Sequence, residues 1–543
     1  MAGFKIDVFS GKAPKVSGRL LPDDMAQIAD NVKLESGQLR PWKDNHSQST
    51  TFSGSTKTIF KYSGTHWFSS TDDVDFLRSP IAEDPHGRVY WTGETYPKMA
   101  DASTATSGSG TFPGGSFRLG LTKPGKPSPA ITGTATTGAE EQSIAYVVTW
   151  VSTFGEESMP SDVTTSDIVT FRAGQTRTIT FPSQPTGAYA TTSGKFRLYR
   201  TNINGEFQHV VDVAFGTTTY VDAVEDSNLG ELLQTGDWEA PPDEVTSAHP
   251  DGAMKGLVML PNGIFAGFSG QTICLSEPFM PHAFPKKYQL TTRDDIVALA
   301  VIGNGLLVTT KNKPYLVTGS DSASMSMIEM DSNQSCVSKR SMVDMGDYAI
   351  YASPDGLVMA GSQGIQVITE NVITRDQWQA LVPSSMAGYF YEGRYVGFYN
   401  DGSNQKGFIF DPRGGKNSFV DLDFYAHAGF NDKEADKLYL LISGTLYEFN
   451  ASTNLKTYKW KSKKFYFDRP ISPAVAKVDA DTYSSNITFK IYADGALKHT
   501  QSVGDSNMFR LPSGYRAKQI EVQLEGTQDV NHVCVYESPQ EVV

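Results

Sequence analysis

Chemistry in a chain begins with its cysteines, histidines and clustered charges, and each kind needs partners at a set spacing to react. Cys274, Cys336 and Cys534 are far apart and odd in number. No C-x-x-C spacing exists for zinc or dithiol work, so the three read as reduced, buried small hydrophobes. Nine histidines are scattered singly. His66, His86 and His282 lie near aromatics or prolines and read as packed or surface residues, because a metal site needs clustered ligands. Asp72-Asp73-Val74-Asp75 could hold a cation, but a charge run is usually a solvated turn, and that is the expectation. The run from Lys456 to Lys464 interleaves lysines with Tyr458 and Trp460. That mixture could grip nucleic acid. In an alternating strand it reads instead as an exposed face or a protein contact.

Recognisable catalytic spacings are missing. Gly11-Lys12, Gly125-Lys126, Gly194-Lys195 and Gly415-Lys416 each lack the Ser or Thr that completes a phosphate loop. No H-E-x-x-H, no G-x-S-x-G and no twelve-residue calcium loop occurs. Ser353-Pro354-Asp355-Gly356 is similar to part of the Asp-box of sialidase propellers, but Leu357-Val358-Met359 follows where that box continues to a Trp. It reads as a plain hairpin turn. The 60 acidic residues offer too many pairs for any one to be assigned to glycoside hydrolysis. Hence no catalytic, cofactor-binding or metal residue is assigned, no cofactor is expected, and the chain is expected not to be an enzyme.

Composition sets the frame for these residues. At 543 residues the chain should hold roughly three or four domains. The 49 Gly, 24 Tyr and 30 Phe suit pleated sheets and tight turns, so the fold class is all-β. Net charge is −13, which argues against a protein that grips phosphates and is compatible with a wall past which DNA slides. The opening residues lack the pattern of a secretory signal. The longest apolar run, 296–308, is broken by Gly303-Asn304-Gly305, so no stable membrane insertion is expected.

Four segments follow. Residues 1–125 form an N-terminal segment that contributes strands to a β-propeller. Its residues 20–29 read as a short helix with Pro22 in the first turn, and 101–116 read as a flexible Ser/Gly-rich loop. Residues 126–242 read as an inserted fibronectin-like β-sandwich, entered through Pro124-Gly-Lys-Pro-Ser-Pro129. Residues 243–460 repeat strand, polar turn, strand, as at Asn262-Gly263, Asp355-Gly356, Asp401-Gly402 and Ser443-Gly444. Hairpins recurring at about 40–50 residues predict propeller blades, about six in all. Residues 461–543 form a C-terminal β platform domain with Asp494-Gly495 as a hairpin turn.

Several stretches resemble one family, the tail nozzle or tail tubular B proteins of short-tailed bacteriophages. They are Arg19-Leu-Leu-Pro-Asp-Asp-Met-Ala-Gln-Ile-Ala29 with Ser36-Gly-Gln-Leu-Arg-Pro41, then Phe117-Arg-Leu-Gly-Leu-Thr-Lys-Pro124, then 146–157. The longest lie at 256–284, 314–319, 336–346 and 351–358, with 460–463 and 509–514 behind them. The likeness runs through nearly the whole chain in order. It implies a structural virion protein of the short tail, assembled in the host bacterial cytoplasm. Six copies would surround a channel below a ring-shaped tail adaptor, with tail fibres as further partners. The ring would close before infection and then conduct viral double-stranded DNA without specific grip. Loops 102–115 and 281–287 are the two candidates, one of which would narrow the channel. The alternative is a receptor-binding or glycan-degrading propeller protein of the tail.

Overall fold

Many strands here bury residues on both faces, as Gly305–Thr310 does along its whole length. A strand buried on both faces needs a packed neighbour on each side, and a ring of sheets is one arrangement that supplies both. The computed structural model, which describes residues 3–247, 249–413 and 419–541, has that arrangement.

The ring is a β-propeller. Blade 1 (75–118), blade 2 (255–291), blade 3 (296–329) and blade 4 (343–367) are four-stranded antiparallel meanders. Blade 5 (387–422) has four strands, and blade 6 has three strands at 428–448. The fourth strand of blade 6 is His46–Thr51, which pairs with Thr445–Glu448 and so joins the beginning of the ring to its end. A two-stranded hairpin, Thr58–Ser63 with His66–Ser70, fills the remaining gap between blades 6 and 1. Six four-stranded blades and this hairpin complete the circle.

Seven apolar interfaces show that the circle is closed. Ile264 and Phe268 meet Leu306 and Val308 between blades 2 and 3. Ala300 and Leu307 meet Tyr351 and Val358 between blades 3 and 4. Ile350 meets Tyr395 and Phe408, with Trp378 beside them, between blades 4 and 5. Val396 and Phe398 meet Leu440 between blades 5 and 6. Trp67 of the hairpin meets Tyr439 of blade 6 on one side. On its other side Phe60 stacks on Phe76 of blade 1 at 5.2 Å between ring centres. Tyr90 of blade 1 meets Phe265 of blade 2 edge to face. The tight turns have the required chemistry: Ser443 and Gly444 both have positive φ (49° and 82°), as a two-residue hairpin turn demands.

Between blades 1 and 2 the chain leaves the ring to build a sandwich over 128–222. One sheet has Tyr146–Val151, Lys195–Thr201 and Phe207–Ala214; the other has Ser128–Thr132, Thr176–Thr180 and Thr219–Asp222. Ile179, Phe181, Phe196 and Leu198 fill its interior.

The C-terminal domain is a second two-sheet body around Trp460, Phe489, Ile520 and Val522. Residues 3–41 pack with this domain, while the strands that the N-terminal segment contributes to the propeller begin at His46. Gly3–Ile6 pairs with Val530–Tyr536. The expected helix at 20–29 is replaced by turns and the strand Ala26–Asp30. That strand pairs antiparallel with Tyr458–Ser462 and parallel with blade 5 at Asp421. A vacant edge on each side makes strand pairing worth more than a short helix, so tertiary contact overrides local propensity. One hydrogen-bonded sheet therefore runs from blade 5 into the C-terminal domain.

The expected flexible loop at 101–116 is also corrected. It opens with a helical turn, Ala102–Ala105, capped by Asp101, and Ser69 donates to the Phe112 carbonyl at 2.9 Å.

The sandwich meets the ring at a buried ionic joint. Arg88 of blade 1 reaches Asp84 at 2.8 Å and Glu156 of the sandwich at 3.4 Å. Burial pushes the Glu156 carboxyl up to about 7, against the pull of Arg88. Tyr90 and the buried, unpartnered His282 face the same joint. A carboxyl raised on folding contributes stability below its unfolded value near 4.5, and that stability is lost as pH rises through about 7. Glu156→Gln has no such dependence. Thermal melts should therefore show the variant gaining on the wild type by on the order of 2 kcal/mol between pH 5 and pH 8. A difference that does not change with pH would refute the buried, protonated Glu156.

Candidate functional site

The side chains with the greatest chemical potential converge on the propeller axis. The turn Lys339–Ser341, between blades 3 and 4, is the element that brings them together. Its Lys339 ammonium lies 2.8 Å from Asp75 Oδ2 and 3.2 Å from Asp73 Oδ1, at the entrance to blade 1. Lys339 Nζ also donates to the Asp73 carbonyl at 3.2 Å. Next to it, Arg340 Nη2 donates to the His427 carbonyl at 2.5 Å, before blade 6, and to the Lys57 carbonyl at 3.2 Å, before the hairpin. Ser338 Oγ donates to the Met386 carbonyl of blade 5 at 2.6 Å. A turn from one side of a ring can touch blades 1, 5 and 6 and the hairpin only by crossing its centre.

Local chemistry holds the turn in place. Ser341 Oγ donates to the Ser338 carbonyl at 2.6 Å and accepts from the Ala352 amide at 2.9 Å. The buried Tyr395 hydroxyl donates to the Ser341 carbonyl at 3.0 Å. Cys336, just upstream, is buried and its thiol faces the Ser338 carbonyl at 3.3 Å. Burial pushes that thiol up to about 11.

Electrostatics follow from the count of charges. Burial pushes Lys339 down most strongly, but Asp75 and Asp73 more than offset it, and the ammonium is held above its ordinary value. Burial raises the Asp75 carboxyl, with Lys339 opposing it. Two carboxylates share one ammonium, and Asp75 is the deeper of the two. The arrangement can therefore hold a proton or an internal cation. The ammonium of Lys339 already takes the place that a bound cation would have between these carboxylates.

Asp72–Asp75 is thus not the solvated turn expected from the sequence: Asp75 is drawn into the axis by a partner 264 residues away in sequence. The lysine run is a central strand of the C-terminal domain. Tyr458, Trp460 and Ser462 are buried on one face, while Lys461 pairs with Glu521 at 2.8 Å and Lys463 with Asp23 at 2.8 Å. Ser353–Gly356 is a hairpin turn whose Asp355 pairs with Arg375 at 2.7 Å. His66 packs edge-on to Phe112 and His86 to Phe154. His282 is buried against Trp238, and burial, aided by Arg88, pushes it down to about 3. These histidines are not brought together. No group of three or more potential metal ligands occurs among the described residues. Gly415-Lys416 lies outside the described residues. The second candidate gate, 281–287, is pinned: Phe284 is buried, its amide bonds the Glu239 carbonyl, and Lys286 pairs with Glu239 at 3.1 Å.

Lys339 and Arg340 were missed by reading the sequence for catalytic spacings. Two adjacent cations in an apolar neighbourhood, Cys336-Val-Ser-Lys-Arg-Ser-Met342, were the available signal.

No protein family and no curated protein matches this chain. Solved structures with a related arrangement include YCF48 from Cyanidioschyzon merolae (11% identity, 83% of this chain, 99% of that chain, TM-score 0.25). The Dos1 propeller is another (11% identity, 77% of this chain, 95% of that chain, TM-score 0.28). A third is exo-β-1,3-galactanase from Phanerochaete chrysosporium (10% identity, 52% of this chain, 95% of that chain, TM-score 0.21). Likenesses this distant transfer no activity, and the propeller assignment rests on the strand order itself. They do correct one expectation. A glycoside hydrolase stands among the similar structures, so the assignment of this chain as a non-enzyme is withdrawn.

Removing the Lys339 ammonium leaves two carboxylates facing each other. Because the three groups are half-buried, Lys339→Met should cost about 1–3 kcal/mol in urea denaturation. Adding Asp75→Asn should recover a good part of that loss, because the two positions are in contact. Additive losses would contradict a shared axial charge site.

Proposed function

We propose that this chain is the nozzle subunit of a short bacteriophage tail, a homohexamer in the virion that closes the DNA channel before infection and conducts the genome afterwards. The observation that carries this reading is the ordered, chain-long resemblance, together with where its segments fall. Residues 26–29 lie in the strand that joins blade 5 to the C-terminal domain, and Leu39 bridges to Val530 of that domain. Residues 117–124 lead from blade 1 to the sandwich. Residues 336–346 contain the axial turn. Two further features support it. Because Lys339 and Arg340 fill the propeller axis, DNA would pass between subunits and never through a propeller. The sheet shared by blade 5 and the C-terminal domain makes each subunit a stiff wall element. At −13 per chain the assembly would repel phosphate and let duplex DNA slide. The adaptor ring above and tail fibres at the side are its partners on this reading.

A second reading, a receptor-binding or glycan-degrading propeller protein, draws on Asp75. A buried carboxyl held above its ordinary value beside a second carboxylate is the kind of group that can act as a general acid.

Immunogold electron microscopy on intact particles separates the two. The nozzle predicts label at the distal end of the tail stub with six-fold averaged density. Label on lateral appendages or three-fold spikes, or reducing-sugar release from β-1,3-galactan that Asp75→Asn abolishes, would favour the second reading.

A further inference from the structure

A polar cleft of about 290 Å³ lies outside the propeller, where the sandwich meets the segment that returns to blade 2. Its floor is the outer face of two sandwich strands. Arg197 grips Asp212 through two parallel bonds, Nε to Oδ1 at 2.8 Å and Nη2 to Oδ2 at 2.9 Å, and reaches Glu157 Oε2 through Nη1 at 2.8 Å. Burial pushes the Asp212 carboxyl up, but Arg197 more than offsets this and holds it down at about 2. Glu157 Oε1 accepts from Tyr199 at 2.8 Å and from Thr149 at 2.6 Å. His209 Nε2 lies 3.0 Å from Asp212 Oδ1. The returning segment forms the other wall with Gln234, Thr235 and Trp238. The Thr235 residue is only 3% exposed, and its hydroxyl has no hydrogen-bond partner among the described residues.

Three properties define what fits. Three of the five Arg197 N–H donors are committed to Asp212 and Glu157, and with Glu231 on the lining three carboxylates face one guanidinium, so the cleft disfavours an anionic ligand. Its remaining capacity is mostly acceptor oxygens, with one unpaired hydroxyl and one exposed amide at the rim. The half-buried Trp238 supplies an apolar face beside them. Directional acceptors next to an aromatic plate match a ligand that carries many hydroxyl donors on one edge and C–H groups on the other. We propose that this cleft binds a neutral saccharide, with its C–H face on Trp238 and its hydroxyls on Glu157, Thr235 and Gln234. A buried hydroxyl left unpaired costs stability, and a sugar hydroxyl would satisfy it. The proposal does not depend on the nozzle reading: a sugar site on an outer domain suits any protein that meets a cell surface.

The test is saturation-transfer-difference NMR on the full chain with glucose, galactose, N-acetylglucosamine and lactose as probes, and choline as a cationic control. Saturation of sugar C–H protons is expected. Trp238→Ala should weaken binding by at least about tenfold. Thr235→Val, nearly isosteric and checked for an unchanged melt, should weaken it by about threefold or more. No sugar signal would overturn the proposal, as would sugar binding indifferent to both variants, or choline binding in place of sugar.

Discussion

The whole architecture depends on closing a ring whose units cannot stand alone. Each blade presents apolar residues on both faces, so an open ring would leave two such faces in water. At roughly 25 cal/mol for each Å² of apolar surface, that exposure would outweigh most of what any one blade gains internally. Two independent devices prevent it. At the rim, His46–Thr51 completes blade 6, so segments about 400 residues apart share one ladder. At the axis, Lys339 and Arg340 reach across to blade 1, blade 6 and the hairpin. The rim device is non-directional in sequence, since any strand with the right length would serve. The axial device is specific, because the half-buried Lys339 ammonium is held by the two carboxylates that face it.

Those closures dictate what the rest can do. A sealed axis removes the central channel that a propeller otherwise offers, and moves the available chemistry to the axial charge site and to the outer cleft. The sandwich and the C-terminal domain are attached differently. The sandwich meets blade 1 through a buried ionic joint, Arg88 with Asp84 and Glu156, whereas the C-terminal domain shares a continuous sheet with blade 5. That sheet crosses from blade 5 to Ala26–Asp30 at the pair Asp30 and Asp421, and continues as a longer ladder to Tyr458–Ser462. An ionic joint responds to pH instead, through the raised Glu156 carboxyl.

Sequence reading reached the fold where signals were local. The turns at Asn262-Gly263, Asp355-Gly356 and Ser443-Gly444 announced hairpins, and their spacing announced blades. It failed where the decisive partner was remote. Ala26–Asp30 has helix-compatible residues, and only the edges offered by blade 5 and Tyr458–Ser462 make it a strand. Asp73 and Asp75 look like any solvated acidic turn until Lys339 is placed beside them. The lysines at 461 and 463 look like an exposed strand face until Glu521 and Asp23 appear opposite. Pairing over hundreds of residues leaves no periodic trace in one sequence, so the axial site and the outer cleft were both invisible to it.

Hydrogen exchange by mass spectrometry on the segment 336–342 tests the sealed axis most directly. An irregular connection between blades ordinarily exchanges within seconds. Here the Cys336, Val337, Ser341 and Met342 amides all have backbone acceptors, and the turn is held by the carboxylates of Asp73 and Asp75 and by the carbonyls of His427 and Lys57. The account predicts protection in this segment comparable to that of the blade strands beside it, and its loss in Lys339→Met. Exchange as fast as that of an exposed loop in the wild-type chain would contradict it.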